Sequence, residues 1–407
     1  MNDPNGLLYY KGEYHLFFQH NPLGNLWGNM SWGHAVSTDL YNWQELPVAI
    51  ACTETSGIFS GSAVIDYENT TGFGSKENPP IVAIYTEHQN DESNQSQCLA
   101  YSVDEGRNFT KFSGNPILDI NLPNFRDPKV NWIGDSWIMT IALPHEHKIS
   151  FYSSPNLKDW VHLSDFGPAA EVGGVWECPD LFQLGDKWVL LVSLNPGGYQ
   201  IGSGTQYFVG NWNGTEFIAD DVDTRWLDFG RDNYAGVTFS NAPDEKRIFL
   251  GWMSNWEYAT KIPTHPWRSA MTLPRELLLS GKTLVQKPVE RQAGFPEVSF
   301  ATQDGAVRIH ETPERFVEVG VRNQNIYVDT SRAWNEIAAP LLQEIPIPVG
   351  EIDIRVIVDR GSIEVFAAGG SIAITNLILV DTALTYVETL GEISDLKLQQ
   401  LYRGLPS

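Results

Sequence analysis

Polar, glycine-marked segments recur at near-regular intervals along much of this chain, and they constrain its fold more than any other feature. MNDPNG opens the chain with Asp3 in a tight-turn setting, followed by FSGSAV (Phe59 to Val64), FRDP (Phe125 to Pro128), WECPD (Trp176 to Asp180) and RDNYAG (Arg231 to Gly236). With Asp3, Gly61, Asp127, Glu177 and Asp232 as markers, the steps are 58, 66, 50 and 55 residues. A repeat of about 50 residues built from short strands is the signature of β-propeller blades. Five markers predict five blades, each marked segment lining one central channel. Residues far apart in sequence then meet at a single axial site.

The stretches between markers support this. PPIVAIYTEH, SWIMTIAL, KWVLLVSL and KRIFLGWM are strand-like runs bounded by Gly, Pro, Asn or Asp. GDSWIMTI and GDKWVLLV have the glycine-containing turns of hairpins. Long helical periodicity is absent, so the chain is expected to be all-β. At 407 residues it exceeds what one hydrophobic core usually supports. Residues 1–285 are assigned to a five-bladed propeller and 286–297 to a linker within SGKTLVQKPVERQAGFPE. Residues 298–407, where GEIDIRVIVDRGSIEVFAAGGSIAITNLILV alternates as antiparallel strands do, are assigned to a shortened β-sandwich. Of the 14 tryptophans only Trp334 lies in that second region, so the aromatic chemistry belongs to the first.

A formal charge of −23 argues against nucleic acid or an anionic membrane as partner. The longest apolar runs fall short of a membrane span. Cys52, Cys98 and Cys178 include no CxxC pair, so neither a disulfide framework nor a structural metal site is expected. Sequons begin at Asn29, Asn69, Asn94, Asn108 and Asn213 and lean toward a secretory route and N-glycans. An extracellular location is expected, with the signal segment lying outside this sequence.

The marker residues carry chemistry. Glycoside cleavage needs two carboxyl groups, one to protonate the leaving oxygen and one to act as nucleophile or base. Glu177, beside Trp176, Cys178, Pro179 and Asp180, has the apolar and negative surroundings that favour a proton donor. Asp3 has Asn2 and a glycine turn to supply hydrogen bonds, as an ionised nucleophile requires. Asp127 follows Arg126 and is expected to stay ionised. Gln19, Trp27, Ser62 and Trp256 lie in strand-end segments and suit sugar hydroxyls and C–H faces. Trp32, Trp43, Trp132, Trp137 and Trp188 are expected to pack between blades, and His34, His88 and His265 to be structural.

Taken together and in order, MNDPNG, FSGSAV, FRDP, WECPDLF, GWMSNW and PTHPWRSAMTLPREL resemble the invertase, inulinase and levanase family of glycoside hydrolases, most closely the fungal-type exo-inulinases. SGTQYFVGNWNGTEF and VDRGSIEVF extend the resemblance over the whole chain. It implies a propeller followed by a sandwich and retaining, exo-acting hydrolysis of β-fructofuranosides, from fructans such as inulin and levan or from sucrose. Asp3 matches the nucleophile, Glu177 the acid/base, and Asp127 the residue that holds fructose hydroxyls and stabilises the transition state. Asn2, Gln19, Trp27, Ser62, Arg126, Cys178 and Trp256 match positions shaping the fructose pocket, and Asp232 and Tyr234 lie in the fifth-blade motif. No cofactor or metal is implied. The family carries a lead-in before its asparagine-aspartate, where only Met1 stands here. Two other readings use the same residues: fructosyl transfer to a sugar acceptor, and an inactive fructan-binding or inhibitory module.

Overall fold

The computed structural model describes residues 1–333, 337 and 341–405, so Trp334 lies outside the described residues. Five antiparallel sheets follow one another along residues 4–288, four of them four-stranded and the fifth with one short extra strand. Their innermost strands are Pro4–Tyr10, Ser56–Ile65, Arg126–Ile133, Val175–Leu184 and Tyr234–Thr238. Each packs against the next, and the ring closes where the Tyr9 and Ser240 amides donate to Ser240 and Leu7 carbonyls, both at 2.9 Å. These are the blades that the recurring segments predict.

All five innermost strands carry the same irregularity. Three residue steps on the inner strand oppose two on its neighbour, beginning at Asn5, Ile58, Arg126, Glu177 and Tyr234. Each is a one-residue β-bulge. In four blades the next residue has positive φ: Gly6 (53°), Asp127 (67°), Cys178 (46°) and Ala235 (53°). Three of these are not glycine, and each such residue costs of order 1 kcal/mol or more, a strain typical of functional sites. A bulge re-aims side chains and lets consecutive residues reach one mouth of the channel. At Gly6 there is no room for anything larger, since an added Cβ would sit 2.6 Å from the Phe17 ring. The sequence repeat is thus a repeat of bulges.

Blades are held apart and together by apolar wedges. Trp32 is fully buried between blades 1 and 2 and Trp137 is buried between blades 2 and 3, as expected. Trp132 departs from expectation: it is 46% exposed.

The last strand of the fifth blade ends at Pro288, and the next strand begins at Glu297. Beyond it lie two facing sheets of five and six strands around a core of β-branched residues, among them Val298, Val307, Ile309, Val319, Ile354, Val356, Val365 and Ile374. With strands of two to eight residues, both sheets are built within residues 297–403.

The two units are joined through a buried polar seam. Arg275, fully buried in blade 5, donates to Asp228 (2.9 Å), to Glu364 (2.6 Å) and to Thr375 (2.6 Å), the last two from the sandwich. Burial pushes the Glu364 carboxyl pKa up, against the pull of Arg275. Alongside, the sandwich edge strand Ile372–Leu377 pairs with the segment leading into blade 5. Phe229 N–H donates to the Ala373 carbonyl (2.8 Å), Asp232 N–H to Thr375 O (3.1 Å), and Leu377 N–H to the Asp232 carboxylate (2.8 Å).

Candidate active site

The bulged ends of the inner strands surround a cavity of about 410 Å³ at one mouth of the channel. Asp3 enters from blade 1, Arg126 and Asp127 from blade 3, and Glu177 from blade 4, with Asn2, Gln19, Trp27 and Trp256 also in its wall. Beneath the cavity the channel is filled. Ser62 Oγ donates to Pro128 O (2.9 Å), and the buried Lys129 lies 3.7 Å from the buried Asp180. Asp180 in turn accepts from Thr238 N–H (2.7 Å) and Oγ1 (2.8 Å). The pocket is therefore closed at its base.

Asp3 accepts hydrogen bonds from Asn2 Nδ2 (3.0 Å) and Ser60 Oγ (2.7 Å). Its pKa is nonetheless raised, chiefly by burial, with the Glu177 charge adding to the rise. Asp127 accepts from the backbone N–H of Cys178 (3.0 Å), and its own N–H donates to Thr86 Oγ1 (3.1 Å). Burial and then Glu177 lift its pKa to about 7, against the pull of Arg126. The expectation that Arg126 holds Asp127 ionised is thereby corrected. The guanidinium points instead at Glu177, donating from Nε (3.0 Å) and Nη2 (2.9 Å) to a single carboxyl oxygen. The other oxygen of Glu177 accepts a short hydrogen bond from Tyr234. Burial holds that phenol well above its ordinary pKa, so it remains a donor.

Gln19 lines the wall, and its buried Nε2 has no hydrogen-bond partner among the described residues, leaving a donor uncommitted. Trp27, 54% exposed, and Trp256 supply apolar faces. This wall offers what a sugar needs: aromatic faces for C–H groups, amides for hydroxyls, and carboxyls on more than one side of the ring.

Three expected contact residues stand outside the wall. Ser62 is buried one step too deep and bridges blades 2 and 3 through Pro128 O and Val130 N. Asp232 is 0% exposed, and its oxygens are taken by Tyr258 and by Leu377 N–H of the sandwich. Cys178 lies behind the acids, its Sγ 3.9 Å from Asp3 and 3.6 Å from Asp127 rather than against Glu177. Conversely, Ser60, Phe59, His88, Gln95 and Asn195 line the cavity without having been singled out there. His88, expected to be structural, stacks on Phe59 with ring centroids 4.4 Å apart and forms part of the wall. Ser60 lies in the same FSGS segment as Ser62, and the bulge there decides which hydroxyl faces the pocket.

Three carboxyls from different propeller blades around one closed pocket define a carboxylate-based glycoside hydrolase. Residues 1–288 match the family model described as the glycosyl hydrolases family 32 N-terminal domain, and residues 297–399 that of its C-terminal domain. The levanase of Bacillus subtilis (strain 168) is 40% identical, over 98% of this chain and 68% of the levanase. The extracellular exo-inulinase of Aspergillus ficuum is 38% identical over 92% of this chain and 86% of its own length. The crystal structure of the Aspergillus awamori exo-inulinase shares the fold with a TM-score of 0.91 at 35% identity, covering 97% of this chain and 94% of that one. This chain belongs to glycosyl hydrolases family 32.

Proposed function

We propose that this protein is a retaining, exo-acting β-fructofuranosidase that releases terminal fructose from fructans such as inulin and levan, or from sucrose. The observation that carries the reading is the convergence of Asp3, Asp127 and Glu177 on one cavity closed at its base, which admits a chain end rather than a chain middle. Asp3 attacks the anomeric carbon of the terminal fructosyl unit as Glu177 gives its proton to the departing glycosidic oxygen. Water, deprotonated by Glu177, then displaces Asp3 and restores both groups. Asp127 holds fructose hydroxyls and, in its ionised form, strengthens that hold as the ring gains positive charge. Arg126 and Tyr234, both bonded to Glu177, fix the orientation of its carboxyl. Retention requires Asp3 and Glu177 to work about 5–5.5 Å apart.

Further support comes from the names of the relatives, a levanase and an extracellular exo-inulinase. The latter also favours an extracellular location, to which the exposed sequon residues Asn29, Asn108 and Asn213 are suited. The catalytic unit is proposed to end, and the sandwich to begin, within 286–297. Incubation with sucrose, inulin and levan, with products resolved by chromatography and the first-formed fructose anomer followed by NMR, tests the reading. Release of fructose one unit at a time with its β configuration retained is expected, with glucose as the co-product from sucrose; internal cleavage, an inverted anomer or no turnover refutes it.

A further inference from the structure

The opposite mouth of the propeller channel holds a second cavity, of about 560 Å³, within the range of small-ligand sites. The outer ends of the inner strands of blades 2 to 5 form it, and the buried layer of Ser62, Lys129 and Asp180 separates it from the catalytic pocket. Two aromatic side chains in its wall are uncovered: Trp132 is 46% and Tyr67 52% exposed. Trp132 is not loose. It lies directly across the hairpin from Trp137, edge to face at 5.0 Å and 76°, and Trp137 is anchored through Nε1 to Thr70 Oγ1 (3.0 Å). An exposed indole held in one orientation is a platform.

Polar groups in the same wall await partners. Arg247 Nε and Ser240 Oγ are buried without a hydrogen bond among the described residues. The Arg247 guanidinium is kept in place 5.2 Å over the Phe182 ring. A desolvated donor left unpaired is destabilising, and a ligand hydroxyl reaching it relieves that penalty. One arginine in a wall that also holds Glu68, in a chain of net charge −23, does not make a polyanion site. Aromatic faces flanked by uncommitted neutral and cationic donors fit a polyol.

We propose that this second mouth is a non-catalytic carbohydrate site, in which Trp132 stacks on internal units of the fructan chain while Arg247 and Ser240 bond its hydroxyls. That the sugar is fructan rests on the function proposed above; that the site takes a neutral sugar chain rests on its own wall. Holding polymer here raises the local concentration of chain ends around the catalytic mouth.

The test is affinity electrophoresis in gels containing soluble levan or inulin. The protein carries Glu177→Gln so that polymer is not digested, and free fructose is added to occupy the catalytic pocket. Retardation that survives fructose is expected, with the apparent Kd rising at least fivefold on Trp132→Ala and on Tyr67→Ser, the latter at a half-exposed side chain outside the core. The site is refuted if Glu177→Gln protein is not retarded, if fructose alone abolishes retardation, or if both variants migrate as their parent does. Should Trp132→Ala fail to fold, Tyr67→Ser decides. Hydrolysis of sucrose and fructan by the unmodified protein is measured separately, so failure of the catalytic reading shows itself there and not in the gel.

Discussion

Replacing Asp127 by asparagine is expected to yield a protein that is catalytically dead and more heat-stable, and the structure gives the size of the gain. Burial and the neighbouring Glu177 lift the Asp127 pKa from 3.8 to about 7, so the folded state holds a proton there that the unfolded chain releases near its ordinary value. The native state therefore binds more protons between those two values, and stability falls as pH rises through that window. The rise corresponds to at most about 4 kcal/mol at 1.36 kcal/mol per pH unit. Because Asp127 titrates in a coupled cluster, half of that ceiling, about 2 kcal/mol, is assigned to Asp127 alone. The asparagine side chain removes the charge while its Oδ1 still accepts the Cys178 N–H bond. For a catalytic unit the size of residues 1–288, an unfolding entropy near 2.1 cal/mol/K per residue is about 0.6 kcal/mol/K, so 2 kcal/mol is about 3 °C in Tm. Differential scanning calorimetry at one scan rate across pH 3.5 to 8.5 should show the Asp127→Asn variant and the native protein melting together at the acid end. The variant should gain about 3 °C above pH 7 and nothing further beyond it. A difference independent of pH, or a variant that melts lower at pH 8, refutes the reasoning.

Asp3→Asn should lower kcat by at least about 10⁴ with an unchanged far-UV spectrum, since an amide forms no glycosyl ester; native-like turnover removes Asp3 as nucleophile. Glu177→Gln should lose more than about 10²-fold on sucrose yet much less on a fructoside with a good leaving group; equal losses on both remove it as acid. Cys178→Ser puts a stronger donor beside Asp3 and Asp127, whose pKa values are both raised, and should therefore move the acid limb of the kcat/KM profile to lower pH; coincident limbs leave the thiol as packing. Asp232→Ala should lower Tm and also depress kcat more than it changes KM, because it frees the segment that presents Tyr234 to Glu177; a pure stability effect refutes that link.

The fold was legible because each bulge needs turn-like residues at the same place in every blade, and these stand out of the strands around them. Asp127 and Glu177 were legible because they sit on the bulges themselves. What the motifs hid was one-residue detail. The structural equivalents are Asn5, Ile58, Arg126, Glu177 and Tyr234, so Tyr234 rather than Asp232 is the fifth-blade counterpart of Glu177. A shift of one or two positions in a bulged strand exchanges cavity for interior. That is why Asp232 and Ser62 turn away while Ser60 turns in. The direction of Arg126 was hidden for another reason. Sequence adjacency to Asp127 says nothing about Glu177, which is 51 residues on and one blade away. Likewise the exposure of Trp132 depends on its place at the end of a strand beside the channel, which tryptophan content alone does not reveal.

The edge strand Ile372–Leu377 pairs with the segment that ends in Tyr234, so the two halves of this enzyme are not interchangeable parts. A chimaera that joined this propeller to a foreign sandwich would have to reproduce the carbonyls of Ala373 and Thr375 and the amide of Leu377 at their present heights. With that edge out of register, the blade 5 entry would be free to drift, and the phenol would lose its aim at the acid while every catalytic residue was still in the sequence. Recombination between relatives should accordingly succeed when the crossover carries residues 228–234 and 372–377 from one parent, and yield folded but sluggish enzymes when it divides them.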